Sequence, residues 1–307
     1  SFDLWLGESD VNELIPEMIS NLKDINKVKI DNGALISTEQ VEPPILITKS
    51  DGSYLYLTTD LASIIYRLNN IDFDKILYVV DNRQKLHFQQ LFQSIKYFEF
   101  PNKEYSHVEF GTVNDSDGNP FRTRDGDTKL LTELYKETYD YIKKINTNLG
   151  DDTIHELANT VLTYSDLLTN RKTDYKFNLD KFTNISGKTG LYVQYAQVRA
   201  KKIIEKSSQV TEDTEINISN NEERSLLFAL LNIDYYFKLT ITYNEPHHLA
   251  DYLYEISNLF NIFYQKENIL NIEESNLKIS KLKITNLFIE CSNIVMQCLG
   301  INPVNKM

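Results

Sequence analysis

Two periodicities divide this chain, and each admits a different kind of core. Up to about Thr128, short apolar runs alternate with helical patterns; beyond it, apolar residues recur every three or four positions over long stretches with few glycines. The clearest of the short runs is Lys75-Ile-Leu-Tyr-Val-Val80, almost wholly apolar and followed by a polar turn. A run that short and that apolar is expected of a parallel strand buried on both faces. Helical patterns at residues 60–68 and 86–98 flank it, and residues 54–58 and 106–110 read as further strands. Strand–helix–strand alternation predicts a parallel α/β sheet, here with few strands and therefore incomplete. Ahead of it lie a helix at residues 8–22 and extended pieces at 28–30 and 34–37. Pro43-Pro44 then forces an extended lead into residues 45–48, before a turn at Asp51-Gly52.

The long stretches, at residues 130–145, 153–168, 191–206, 221–241, 247–264 and 277–299, can each be drawn as an amphipathic helix, and together they predict an α-bundle. Residues 210–220 are polar and poorly patterned, as a linker would be. The expected fold class is α/β plus all-α, and 307 residues give room for two or three domains. No apolar run approaches the ~18 residues that span a bilayer, and no basic, apolar leader opens the chain, so a cytoplasmic protein is expected. Cys291 and Cys298, seven apart in a helical pattern, read as two buried core thiols rather than a disulfide or a zinc site. The net charge of −12 argues against nucleic acid only at first sight. Residues 1–180 hold 19 Lys+Arg against 30 Asp+Glu, while residues 181–307 hold 13 against 14. A nearly neutral rear part can still bind RNA through clustered cations and stacked aromatic rings.

Four stations carry residue types suited to chemistry. Tyr56-Leu-Thr-Thr-Asp60 runs out of an expected strand, with Asp60 just past its end, where a helix places its N-terminal acid. Alone, this is a core tyrosine and a capping aspartate; at the carboxyl end of a strand in an open α/β sheet, the same acid suits a cationic ligand. Val80-Asp-Asn-Arg-Gln84-Lys-Leu-His87 leaves the next strand at the same edge and offers Gln84 and His87, although a lone histidine at a helix start also serves as a capping or surface group. Phe110-Gly111-Thr112-Val113 precedes Asn119-Pro-Phe-Arg122-Thr123-Arg124, a cation-bearing loop that either closes on phosphates or is a solvated turn. Thr189-Gly-Leu-Tyr192-Val-Gln-Tyr195-Ala-Gln-Val-Arg199 puts two tyrosines and an arginine on one helix face. By default that is core packing; otherwise it is a stacking platform for bases.

In this order and spacing, the stations resemble the arginyl-tRNA synthetase family. The segments 2–9, 249–253, 260–264 and the ending 299–307 extend the likeness over nearly the whole chain. The resemblance implies a partial Rossmann-like parallel sheet followed by a helical anticodon-binding bundle. Residues 1–127 would be the second part of the catalytic domain, 128–185 a helical connecting region and 186–307 the anticodon-binding domain. It implies that Tyr56, Asp60 and Gln84 hold L-arginine, whose permanently charged, forked guanidinium is matched by a carboxylate. His87, Gly111 and Val113 would lie toward ATP, with Arg122, Thr123 and Arg124 acting catalytically on its departing phosphates. Tyr192, Tyr195, Tyr264 and Met307 would meet the anticodon of tRNA-Arg. Mg2+ would arrive with ATP; no protein-bound metal, DNA or membrane partner is expected.

The loop departs from the family pattern at three positions. Asn119 stands where lysine is common, Arg122 where a second lysine is usual, and Thr112 where methionine is. The family's His-x-Gly-His motif and amino-terminal domain are expected upstream of Ser1, so the chain alone is expected not to form the adenylate. The alternative reading is a non-catalytic tRNA-binding or scaffolding paralogue.

Overall fold

The computed structural model describes residues 2–39, 41–42, 44–114, 118, 131–207, 215–266 and 268–307. The chain forms two compact units, Ser1–Phe110 and Gly111–Met307. In the first, a 3-10 turn at Glu8–Leu14 runs into α1 (Ile15–Asp24). Strands β1 (Val28–Asp31), β2 (Ala34–Ser37) and β3 (Leu46–Thr48) then form an antiparallel sheet in that order. Asn32 and Gly33, at φ 46° and 81°, turn the β1–β2 hairpin, a conformation that asparagine and glycine accept most readily. Next come α2 (Tyr56–Asn70), β4 (Lys75–Asp81), α3 (Lys85–Tyr97) and β5 (Glu104–Phe110). β4 and β5 pair in parallel from Lys75↔Glu104 to Asp81↔Phe110.

Two expectations for this unit need correction. The segment expected as a strand at 54–58 contributes only an isolated bridge, Thr48↔Tyr54, and the helix starts at Tyr56 instead of Asp60. Thr58 explains the shift. Its hydroxyl accepts from the Leu55 N–H at 3.3 Å and donates to the Ile47 carbonyl of β3, closing the first helical turn and tying it to the sheet. Leu57, Leu61 and Ile64 then share one buried face, each side chain contributing about 1.5–3 kcal/mol on burial. Packing thus overrides the strand preference of a Tyr-Leu-Thr-Thr run. The second correction concerns β4, expected to be buried on both faces. Tyr78 and Val80 pack on the core, but Leu77 is 45% and Val79 64% exposed. Among the described residues of this unit, the helical layer covers one face only.

In the second unit the short strands β6 (Val113–Asn114) and β7 (Tyr175–Lys176) pair in parallel. Around them and beyond are α4 (Leu131–Ile145), α5 (Asp151–Leu168), the single turn α6 (Leu179–Phe182) and α7 (Gly190–Lys206). α8 (Asn221–Leu231), α9 (Ile233–Tyr243), α10 (His247–Lys266) and α11 (Ser275–Cys298) complete the bundle. The helix expected at 221–241 is two helices, broken where Asn232 takes φ −84° and ψ 6°. Tyr164, Tyr252, Phe260 and Phe288 fill the bundle core, the last two rings stacked at 4.3 Å. A second cluster gathers Ile142, Leu157, Leu191 and Val304, so the last residues of the chain are packed in.

Thr189 caps α7 by accepting from Tyr192 N–H, and Gly190 lets α7 approach α5: a Cβ there would lie 2.8 Å from the Thr160 carbonyl oxygen. Cys291 is half-buried, and burial pushes its thiol up, but Cys298 is exposed, against the expectation of two core thiols. Cys298 is the last residue of α11 and faces outward, while Val295, Met296 and Leu299 beside it are buried in the bundle core. Among the described residues, no helix is long and apolar enough to cross a membrane.

Candidate functional site

α2 and α3 both begin at the same place in the first unit, and four of the expected site residues sit there. Tyr56 is the first residue of α2, with Asp60 one turn on along the same side of the helix. Gln84 precedes α3, and His87 lies in its first turn. His87 Nε2 donates to Asp60 Oδ2 at 2.6 Å and so joins the two helix starts. Asp60 keeps a third of its surface open, and Tyr56 and Gln84 point into solvent. The two helix starts therefore carry a phenol, a carboxylate, an amide and an imidazole at their positive ends.

Asp60 was expected at the carboxyl end of a strand. The acid that occupies such a place is Asp81, at the end of β4. Arg83 grips it through Nε at 2.9 Å and Nη2 at 2.7 Å, and its backbone N–H adds a third bond. Arg83 holds the Asp81 carboxyl below the usual range and fixes the turn that carries Gln84. Sequence reasoning missed this role, although an Asp-x-Arg at a strand end was visible as a turn-forming pair. His87 was expected toward ATP; its measurable partner in this unit is Asp60. Behind it, the Phe88 ring stacks on His107 at 4.6 Å, and His107 Nε2 lies 3.1 Å from the Val80 carbonyl.

Gly111 and Val113 open the second unit. The Gly111 N–H donates to the Arg171 carbonyl at 2.7 Å, and Thr112 N–H to Asp174 Oδ1 at 2.7 Å. A Cβ on Gly111 would lie 2.7 Å from Asp174 Oδ1 and 2.9 Å from the Thr173 carbonyl carbon, so close backbone approach is what requires glycine here. Val113 pairs with Tyr175 and borders an open, mainly apolar cleft of about 700 Å³, together with Leu134, Tyr135, Leu162 and Phe177. Arg122, Thr123 and Arg124 lie outside the described residues, as does Asn119.

A third constellation lines one side of α7. The Arg199 guanidinium lies 4.5 Å from the Tyr195 ring centre and 5.0 Å from that of Tyr264, and donates to Asn261 Oδ1. Lys202, Lys206 and Leu270 complete a hollow of about 170 Å³. Cations and aromatic faces in alternation suit unstacked bases and phosphates. Lys202 and Lys206 were not singled out from the sequence, although 195, 199, 202 and 206 recur at the spacing of one helix face. Tyr192 turns the other way: it donates to Asn258 Oδ1 at 3.1 Å and packs on Tyr254 at 5.4 Å. Met307 joins the cluster around Ile142 and Val304 and is not among the side chains lining the hollow.

Residues 1–179 match the family described as tRNA synthetases class I (R), catalytic domain, and residues 193–307 match the DALR anticodon binding domain. An arginine–tRNA ligase of Francisella tularensis subsp. novicida is 35% identical over 319 residues, covering 100% of this chain and 55% of that protein. One from Alkaliphilus oremlandii is 33% identical, with the same shares covered. The crystal structure of arginyl-tRNA synthetase from Plasmodium falciparum is similar with a TM-score of 0.84 at 26% identity, over 99% of this chain and 54% of that one. The Thermus thermophilus arginyl-tRNA synthetase, at 19% identity and a TM-score of 0.83 over 96% of this chain and 58% of that one, is a likeness of fold. The chain spans about 55% of the length of the curated relatives it matches. With more than half of its residues inside the catalytic-domain match, the chain belongs to the class I (R) tRNA synthetases.

Proposed function

We propose that this chain is the arginine-pocket and tRNA-binding portion of an arginine–tRNA ligase of the cytoplasm. Residues 1–127 would be part of its catalytic domain, 128–185 a connecting region and 186–307 its anticodon-binding domain. The observation that carries the reading is the Asp60–His87 pair at the joined helix starts, with Tyr56 and Gln84 beside it. Only Asp60 Oδ2 has a partner among the described residues, so Oδ1 is available to a guanidinium fork. His87 then orients the carboxylate, Tyr56 covers the alkyl chain and Gln84 bonds the amino-acid end.

The reaction proposed for the whole enzyme has two displacements. The arginine carboxylate attacks the α-phosphorus of ATP and pyrophosphate leaves; the terminal ribose hydroxyl of tRNA-Arg then attacks the acyl carbon and AMP leaves. Mg2+ accompanies ATP. Arg122, Thr123 and Arg124 serve the departing pyrophosphate, and His87, Gly111 and Val113 border the nucleotide. Tyr195 and Tyr264 stack anticodon bases around Arg199, whereas Tyr192 and Met307, expected to join them, lie away from that hollow.

The test is tRNA binding by the 307-residue chain. Arginine-accepting tRNA should bind in preference to an unrelated tRNA, with affinity falling as salt rises. Arg199→Ala and Tyr264→Ala should each weaken it by about 1–3 kcal/mol, the range for loss of one base-stacking group. Equal affinity for both tRNAs, or indifference to both substitutions, refutes the assignment. ATP–pyrophosphate exchange with arginine and tRNA should be absent for this chain alone.

A further inference from the structure

The turn between α9 and α10 collects three groups that nothing in the proposed reaction uses. Asn244 ends α9 in the left-handed region at φ 52°, and Glu245 N–H returns to the Thr240 carbonyl at 3.2 Å. Arg171 holds the turn from outside, its Nε donating to the Asn244 carbonyl at 2.8 Å and its Nη2 to that of Tyr243 at 3.3 Å. Pro246 then starts α10 with His247 and His248, whose rings lie 4.1 Å apart. His248 Nε2 is 3.4 Å from Glu245 Oε2. One nitrogen of each ring and one carboxylate oxygen of Glu245 all lie within 4.8 Å of one another. His247 Nδ1 is buried and has no hydrogen-bond partner among the described residues.

We propose that Glu245, His247 and His248 form a binding site for a first-row divalent metal ion of the zinc type. Two imidazoles and a carboxylate are the donor set that such ions take, in preference to the all-oxygen set of Mg2+ or Ca2+. The His247 ring also carries a buried nitrogen without a partner among the described residues, where buried polar atoms in folded proteins almost always have one. A metal between the rings and the carboxylate needs the donors to draw in from their present spread to roughly 2 Å from the ion. Side-chain rotation can supply that movement, because the backbone of the turn is already clamped by Arg171. Positive charge opposes the ion, including the Arg171 guanidinium near His247. Lys172 Nζ lies 3.3 Å from Glu245 Oε1, and the start of α10 presents a positive helix end. The opposition makes the proposal specific, because removing the Lys172 ammonium should strengthen binding where an adventitious surface site would not respond.

The experiment is calorimetric titration of the untagged, chelator-stripped 307-residue chain with zinc chloride. One ion per chain is expected, accompanied by a rise in thermal midpoint. His247→Ala and His248→Ala should each weaken binding at least ~10-fold, the loss that removing even an outer-shell partner produces. Lys172→Ala should tighten it, and Cys298→Ser should leave it unchanged. Circular dichroism checks that each variant folds; if His247→Ala does not, His248→Ala and Glu245→Gln report on the same site. Absence of heat and of thermal shift at ~100-fold excess of zinc overturns the proposal. So does binding that survives both histidine substitutions, or that vanishes with Cys298→Ser.

Discussion

Lys281→Met would take away the ammonium that neutralises Glu223 in the middle of the bundle. The two side chains are 1% and 0% exposed, so neither charge can turn to water. Lys281 donates to Glu223 Oε1 and, at 3.4 Å, to Ser219 Oγ. Glu223 also accepts from Ser219 N–H at 2.9 Å, Ser219 Oγ at 2.9 Å and Asn220 Nδ2 at 2.7 Å. In the variant those neutral donors remain while the counter-charge is gone. Breaking a buried pair on one side costs about 3–5 kcal/mol, and that is the loss expected at pH 7.

The dependence on pH gives the sharper check. In the parent, burial pushes the Glu223 carboxyl up, but Lys281 and Ser219 more than offset this and hold it below the usual range. Its contribution is therefore present above the unfolded carboxylate value of about 4.3 and fades only as pH falls through the lower folded value. In the variant, burial acts against neutral donors alone and raises the folded value above the unfolded one. The penalty is then full at pH 7 and shrinks as pH falls toward about 5, because the carboxyl takes up a proton. Urea unfolding should be followed by far-UV circular dichroism, since the single tryptophan, Trp5, is in the other unit. Adding Glu223→Gln to Lys281→Met should recover most of the loss. A loss under about 1 kcal/mol, or an equal loss at both pH values, would refute the account of this pair.

Two further substitutions probe contacts that position the elements. Gly190→Ala drives a methyl to 2.8 Å from both the Thr160 Cγ2 and its carbonyl oxygen, so the bundle should lose about 1–3 kcal/mol in urea unfolding despite the better helix former. Thr58→Val keeps the shape of a fully buried side chain but removes its bonds to Leu55 and Ile47. The first unit should lose about 1–3 kcal/mol, and an unchanged transition would mean that α2 does not depend on this cap.

What could be read from the chain depended on whether the deciding interaction was local. β4, β5 and the α3 start were legible because an apolar run followed by Asp-Asn-Arg dictates a strand and its exit. The start of α2 was not, since Thr58 caps it through the Ile47 carbonyl, a partner eleven residues away. The pairing of Asp60 with His87, 27 residues apart, was equally invisible, although both residues had been chosen for their chemistry. On α7 the aromatic and cationic spacing pointed to Tyr195 and Arg199. It could not separate Tyr195, open beside Tyr264, from Tyr192, tied down by Asn258. Glu245-Pro-His-His248 passed as an ordinary helix start because its meaning lies in a fold-back held by Arg171, far upstream.

The bare side of β4 sets a practical limit on handling this protein. Leu77 and Val79 stand on one exposed face of a ribbon that, among the described residues, has only two strands. Such a ribbon is a template on which another chain can lay down a strand, with greasy side chains ready to seal the contact. In concentrated solution, copies of the molecule would gather there first, and clumping on warming would begin at this patch while the helical bundle was still intact.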